Sequence, residues 1–253
     1  MRNWYRADLH IHTCLSPCGD LTMSPKRIIE KAKNKNLNII GICDHNSAEN
    51  VQYTINAADL SKDCGQKYLK VIPGMEICTK EEVHILGLFD ELKDIIRLQE
   101  FVYKNLPKEN NNPEIFGEQI IANELDEVEG YNDKLLIGAS DLTTKEIVEE
   151  IHKLNGIAIA SHIDRESFSL IGQLGFIPED LRIDAVEISP HITLNDALKK
   201  FPEIERFPIV RSSDAHFLEN IGKVGTNFLL EEPTIEEIKM ALKNERGRKY
   251  ETQ

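Results

Sequence analysis

Residues 8–13 read DLHIHT. On an extended strand successive side chains point to opposite faces, so Asp8, His10 and His12 fall on one side and Leu9 and Ile11 on the other. Imidazole nitrogen is a good ligand for zinc, iron or manganese, and a nearby carboxylate can fix a ligating ring by accepting its other N–H. A hydrogen-bonded histidine pair in a core would read the same way, so the stretch needs the rest of the chain to decide it.

Working outward, short apolar runs alternate with amphipathic stretches. The runs are ADLHIH (7–12), LNIIGIC (37–43), KVIPGMEI (70–77), VHILGLF (83–89), GIAIAS (156–161), IDAVEIS (183–189), FPIVRSS (207–213) and TNFLL (226–230). Most are apolar throughout, as strands covered on both faces are. Helices are expected over SPKRIIEKAKNKN, with Ser24 as N-cap and Pro25 at the first helical position, over TTKEIVEEIHKLNG (143–156), and over TIEEIKMALKN (234–244). This alternation predicts a mostly parallel sheet, open or closed into a barrel. With no linker or repeat in view, residues 1–253 read as one domain, carrying an irregular insertion at about 104–140, rich in turn formers and charge.

The ends of these runs share a habit. Asp44-His45 follows NIIGIC, Glu76 sits in PGMEI, His162 follows AIAS, and Asp214 and His216 follow FPIVRSS, while His84 opens its run. The carboxyl ends of parallel strands open onto one face, where α/β active sites are built. Six of the eight histidines fall there. That donor set exceeds the needs of one tetrahedral ion and predicts two or three divalent metals (Zn, Mn or Fe), a centre suited to displacement at phosphorus.

With these motifs in order, the chain resembles the PHP (polymerase and histidinol phosphatase) family from residue 8 to about residue 225. The resemblance implies a distorted (β/α)7 TIM-like barrel with a trinuclear metal site at the C-terminal ends of the strands, and phosphoesterase activity. It implies His10, His12, His45, His84 and His162 as metal ligands, Glu76 as the bridging carboxylate, and Asp214 and His216 as the last motif; Glu76, Asp214 and His216 carry the catalysis. After the HxH, this chain reads HTCLSPCGDLTMSP. Aligning DLTMSP with the family's commoner DGTLSP makes Asp20 the next ligand, with Cys18 the competitor, since thiolates bind zinc well.

Other polar residues divide between function and scaffold. Arg165, three residues past His162, is a candidate to grip phosphate bidentately, against an ion pair with Asp164 or Glu166. His191 is a candidate for the substrate pocket and, with His216, for the general acid. Asp8 and Asp44 read as partners that orient ligands, Arg211 as structural, and His152 as a surface residue. The five cysteines, Cys14, Cys18, Cys43, Cys64 and Cys78, form no CxxC pair and predict no disulfide framework.

A formal net charge of −13 repels a polyphosphate backbone, so the expected substrate is a small phosphorylated metabolite or nucleotide, with long nucleic acid an unlikely partner. No apolar run approaches a membrane span, which predicts a cytoplasmic protein without membrane contact. The alternatives are a 3′–5′ exonuclease or phosphodiesterase on short oligonucleotides, amidohydrolase-type C–N hydrolysis, and a metal-binding module without turnover. No phosphate-binding GxxxxGK[ST], GxGxxG or GxSxG motif competes.

Overall fold

The strands, in a computed structural model that describes residues 1–61 and 69–252, are β1 (Asn3–Ile11), β2 (Ile39–Ile42), β3 (Lys70–Cys78), β4 (His84–Leu88), β5 (Ile120–Ala122), β6 (Val128–Tyr131), β7 (Ile157–Ala160), β8 (Ala185–Ile188), β9 (Ile209–Arg211), β10 (Thr226–Leu230) and β11 (Lys249–Thr252). Cys64 lies outside the described residues. Nine strands form one sheet in the order β11-β10-β1-β2-β3-β4-β7-β8-β9, and β5 and β6 form a separate hairpin. β4 runs antiparallel to both β3 and β7, and β10 runs antiparallel to β1 and β11. The other seven point the same way, and the sheet curls into a nearly closed, distorted (β/α)7 barrel of the TIM-like kind.

No ladder closes the barrel between β9 and β10. The Thr226 hydroxyl does so instead, accepting from Arg211 N at 2.9 Å and donating to Arg211 O at 3.0 Å. Tyr250 adds its hydroxyl to Ile209 N at 3.3 Å. One apolar cluster, including Leu9, Ile39, Ile72, Leu86, Ile159, Val210 and Phe228, fills the interior against the helix Ile235–Leu242. A larger one packs the outer faces of the strands against the remaining helices. Burial of this kind, worth roughly 25 cal/mol per Å² of apolar surface, is what makes the barrel a rigid platform.

The expected helices form at Pro25–Asn34, Thr144–Lys153 and Ile235–Leu242. Thr143 and Glu146 make a full capping box. Ser24 stands at the N-cap position of the first helix but makes no cap bond; its hydroxyl goes to Asp126 of the insertion. The insertion is less irregular than its sequence reads, because it contains the β5–β6 hairpin and the short helix Pro113–Phe116. Buried amides staple it to the barrel. Asn50 donates to Ile120 O at 3.0 Å and accepts from Ala122 N at 3.1 Å, and Asn46 donates to Leu136 O and Gly138 O. Ile120 N in turn donates to Cys14 O at 3.0 Å, so the insertion braces the loop that follows His12.

The β1–β2 register shifts between Asp8 and Ile11, which breaks the strict alternation expected of DLHIHT. The carboxylate of Asp8 accepts from Ser213 N at 2.9 Å and from Gly222 N at 2.8 Å, tying the SSDAH loop to β1. Burial pushes its pKa up to about 6 against those hydrogen bonds. Asp8→Ala strands two buried N–H groups and should cost about 2–4 kcal/mol of stability, measured as a lower urea midpoint with an unchanged m-value.

Candidate metal centre

The reversal of β4 explains why His84 opens its strand while the other site residues close theirs. Entering from the opposite end, β4 starts on the face where β1, β2, β7 and β9 finish. All the histidines expected at strand ends therefore meet over the carboxyl face of the barrel. Glu76 stands at their middle. Its two oxygens lie 3.1–3.5 Å from ring nitrogens of His10, His12, His45, His84 and His162. Asp214 Oδ1 is 3.2 Å from His12 Nε2 and 3.5 Å from His10 Nε2. His216 stacks on His12 with ring centroids 4.0 Å apart. Backbones at His162 (φ +25°) and Asp214 (φ +49°) are left-handed, a cost that non-glycine residues bear when the surroundings over-determine them.

The hydrogen-bond partners dictate the tautomers of the first pair. His10 Nδ1 lies 3.0 Å from Glu187 Oε1, a carboxylate that can only accept, so the proton sits on Nδ1. The Ser16 hydroxyl donates to Asp44 Oδ1 at 2.7 Å and therefore accepts from His12 Nδ1 at 2.9 Å. Both Nε2 atoms are left with bare lone pairs, and they stand 3.0 Å apart. Two lone pairs at that distance repel unless a cation lies between or beside them. Glu76 Oε1, His84 Nδ1, His162 Nδ1 and Asp214 Oδ2 are likewise buried without a well-oriented hydrogen bond. Donors from His10, His12 and Glu76, from His45, Glu76 and His84, and from His12, His45 and His216 fall within 4.8 Å of one another and could each hold a metal ion. The residues present fit bound divalent cations.

The electrostatics agree. Burial opposes charge on His10, yet Glu187, Glu76 and Asp214 raise its pKa well above the usual value, so that without a metal ion a proton on His10 Nε2 takes the place of the cation between the two rings. Burial and the neighbouring His216 push His12 well below it. Burial would raise Glu76 and Asp214, but the surrounding imidazoles, His84 and His10 foremost, hold both well below the ordinary carboxylate range. The centre thus keeps its carboxylates ionised and attracts positive charge.

In the loop after His12, Asp20 accepts at its carboxylate from Thr22 N at 2.9 Å and from the Thr22 hydroxyl, while its own N–H donates to His216 O at 2.9 Å. Cys18 lines both cavities that reach the centre. Burial would raise its thiol, but His45 and His216 outweigh that and bring it to about 6, mostly thiolate at neutral pH.

Arg165 makes neither expected surface pair. Its Nη2 lies 2.6 Å from Asp214 Oδ2, while Asp164 accepts from Ser189. His191 is exposed on the rim of a cavity of about 500 Å³ that also touches Asp214 and His216. His152 lies apart, 2.8 Å from Asp184. Arg211 donates to Ile192 O at 2.9 Å, a scaffold role. Glu187 was not singled out by sequence reasoning. Its signal was a carboxylate flanked by apolar residues within AVEI (185–188), where burial demands a partner. It accepts from the His10 ring and from His162 N at 3.2 Å, joining the ends of β1 and β7.

A PHP domain matches residues 8–169, and a PHP-associated segment matches residues 195–246. An uncharacterized protein of Methanocaldococcus jannaschii is 26% identical over 215 residues, covering 78% of this chain and 94% of that one. A 5′-3′ exoribonuclease of Haemophilus influenzae is 33% identical over 88 residues, 33% of this chain and 29% of that one. The lesion-specific endonuclease Q of Pyrococcus furiosus superposes with a TM-score of 0.71 at 23% identity, covering 98% of this chain; this chain spans 58% of its length. A complex of endonuclease Q with a 27-mer duplex substrate, an abasic lesion at the active site, superposes equally well.

That complex overturns the expectation, drawn from net charge, of a small phosphorylated partner and no long nucleic acid. Net charge sums the whole surface, whereas a phosphate approaching the site meets the local field, and endonuclease Q, which shares this fold, is crystallised with a duplex substrate. Among the described residues no helix is long and apolar enough to cross a membrane.

Three substitutions probe the centre. Glu187→Gln, which keeps shape and removes charge, should weaken metal binding by about 10–100-fold in a chelator competition while leaving the circular dichroism unchanged. Cys18→Ser should lower bound metal in elemental analysis, and Asp20→Asn should leave it at the wild-type level. On its matched domain and its His/Glu/Asp cluster, the chain belongs to the PHP family of metal-dependent phosphoesterases.

Proposed function

We propose that this phosphoesterase is a nuclease, hydrolysing phosphodiester bonds of nucleic acid at two or three divalent cations. The observation that carries the reading is the shape of the site. Its histidine and carboxylate cluster lies in an open cleft whose second lobe runs past Arg165 to His191, Asn220 and Lys223, giving room and positive charge for a chain entering and leaving. The duplex-bound relative of the same fold and the exoribonuclease with a matching segment support it.

His10, His12, His45, His84, His162, His216, Glu76, Asp214 and Cys18 would hold the cations. Glu76, whose two oxygens lie near five of those rings, would share its charge among the bound cations. Bound divalent cations supply charge neutralisation at phosphorus and activation of water at neutral pH. The chain's own residues do the rest. Glu187 and the Asp44–Ser16 relay keep His10 and His12 in the tautomers that leave Nε2 free. Arg165, on its flexible stem beside Asp214, turns its guanidinium to a non-bridging phosphate oxygen. With His216 inside the cluster, His191 on the rim supplies the proton for the leaving oxygen.

Purified protein supplied with Zn or Mn should shorten labelled DNA or RNA oligonucleotides, and chelation should abolish the cleavage. Glu76→Ala should lower the rate by more than the roughly 10–100-fold typical of residues behind the ligands, with metal lost in parallel. Hydrolysis of simple aryl phosphates with no cleavage of any oligonucleotide would rule the reading out.

A further inference from the structure

Two phenylalanines stand in the cleft with their rings open to solvent, Phe168 at 41% and Phe217 at 49% exposure. Neither is needed by the core. Phe168 lies on His84 with centroids 4.7 Å apart and planes 24° from parallel, and its carbonyl accepts from His84 N at 2.9 Å. Its backbone is left-handed, φ +60°, a conformation that bulky residues rarely adopt. A ring serving only to pack on His84 would be buried; this one keeps a face free.

Phe168 lines the smaller lobe, about 280 Å³, with His45, Glu76, His84 and His162. Phe217 lines the larger lobe, about 500 Å³, with Arg165, His191, Asn220 and Lys223. Both lobes contain Cys18, Arg165, Asp214 and His216, so they are one continuous cleft. One lobe carries an aromatic ring, the shared wall carries candidate metal ligands and the guanidinium of Arg165, and the other lobe carries a second aromatic ring and the ammonium of Lys223. A nucleotide chain repeats base, phosphate, base, phosphate in the same alternation.

We propose that Phe168 and Phe217 bracket the scissile phosphate, each stacking on the nucleobase at one side of it, with Lys223 meeting the next phosphate beyond Phe217. The bases at the cut are therefore held unpaired and unstacked from their neighbours, because a base inside a duplex has no free face to offer. This rests on the nucleic-acid reading above and goes further, assigning the strand state at the cut and the residues that select it.

The test pairs loss of a ring with loss of the base it contacts. A fluorescent phosphorothioate oligothymidylate and its fully abasic counterpart are titrated with zinc-loaded protein, and affinity is read by anisotropy. Wild type should bind the base-bearing strand more tightly. Phe217→Ala and Phe168→Leu should each reduce that preference by about tenfold, with the abasic strand bound alike by all three, because base–aromatic stacking contributes on that scale. Phe217→Tyr should retain the preference. Equal losses on both strands, or no loss on either, would overturn the bracket while leaving the nuclease reading intact. Should Phe168→Leu disturb His84 and lose metal, Phe217→Ala decides alone. Failure of wild type to bind either strand would remove the nucleic-acid reading, and the bracket with it.

Discussion

Two imidazole lone pairs held 3.0 Å apart, on His10 Nε2 and His12 Nε2, are the constraint around which the carboxyl face of this barrel is organised. Left alone they repel, and every neighbour within reach enforces the arrangement. Glu187 fixes the proton of one ring, Ser16 and Asp44 fix that of the other, and Glu76 and Asp214 set negative charge beside both. A cation turns this repulsion into attraction. Binding it is therefore linked to stability, since the folded chain presents the site and the unfolded chain does not.

Holding such a cluster in a buried position demands a stiff frame. Removing ionised carboxylates and imidazoles from water costs several kcal/mol per charge, and only fixed, close partners repay it. The barrel supplies them from separate strands whose spacing is set by their ladders, so no single loop decides the geometry. Where the ladder fails, between β9 and β10, the Thr226 hydroxyl bonds both backbone groups of Arg211, three residues before Asp214. Asp8 holds the same segment from β1 through Ser213 and Gly222. The clamps cluster on the element that carries the last motif because that seam is where the barrel could open.

Much of this was legible in the chain. Apolar runs ending in His, Asp or Glu reveal strand ends on one face, since burial fixes the run and chemistry fixes its end. The sequence could not say which way β4 runs, so His84 looked like an exception until the reversal brought it into line. Glu187 stayed hidden because a buried carboxylate needs a partner far away in sequence, here His10 at a separation of 177 residues. In the loop after His12, Asp20 aligns well by neighbours, and its carboxylate also bonds Thr22 two residues on, an Asx-type contact that no alignment reveals. The hairpin of the insertion was obscured because β5 is only three residues long and β6 is largely exposed and lacks an apolar face.

Net charge misled for a different reason, and the contrast says how this surface works. A formal charge of −13 describes the field at a distance, and salt screens it within about 8–10 Å. Contact is governed by what lines the cleft, where Arg165, Lys223 and His191 stand around a cluster built to concentrate bound cations. Arg165 makes the balance explicit: its guanidinium is 2.6 Å from Asp214 while 40% of its side chain remains open to solvent. A phosphate entering the cleft offers a second anion to the same group, and Asp214 loses little when cations share its charge. An acidic exterior keeps general attraction for anions low over the rest of the surface. Attraction for a phosphate is thereby confined to the cleft, where Arg165 and Lys223 stand beside a cluster that concentrates cations.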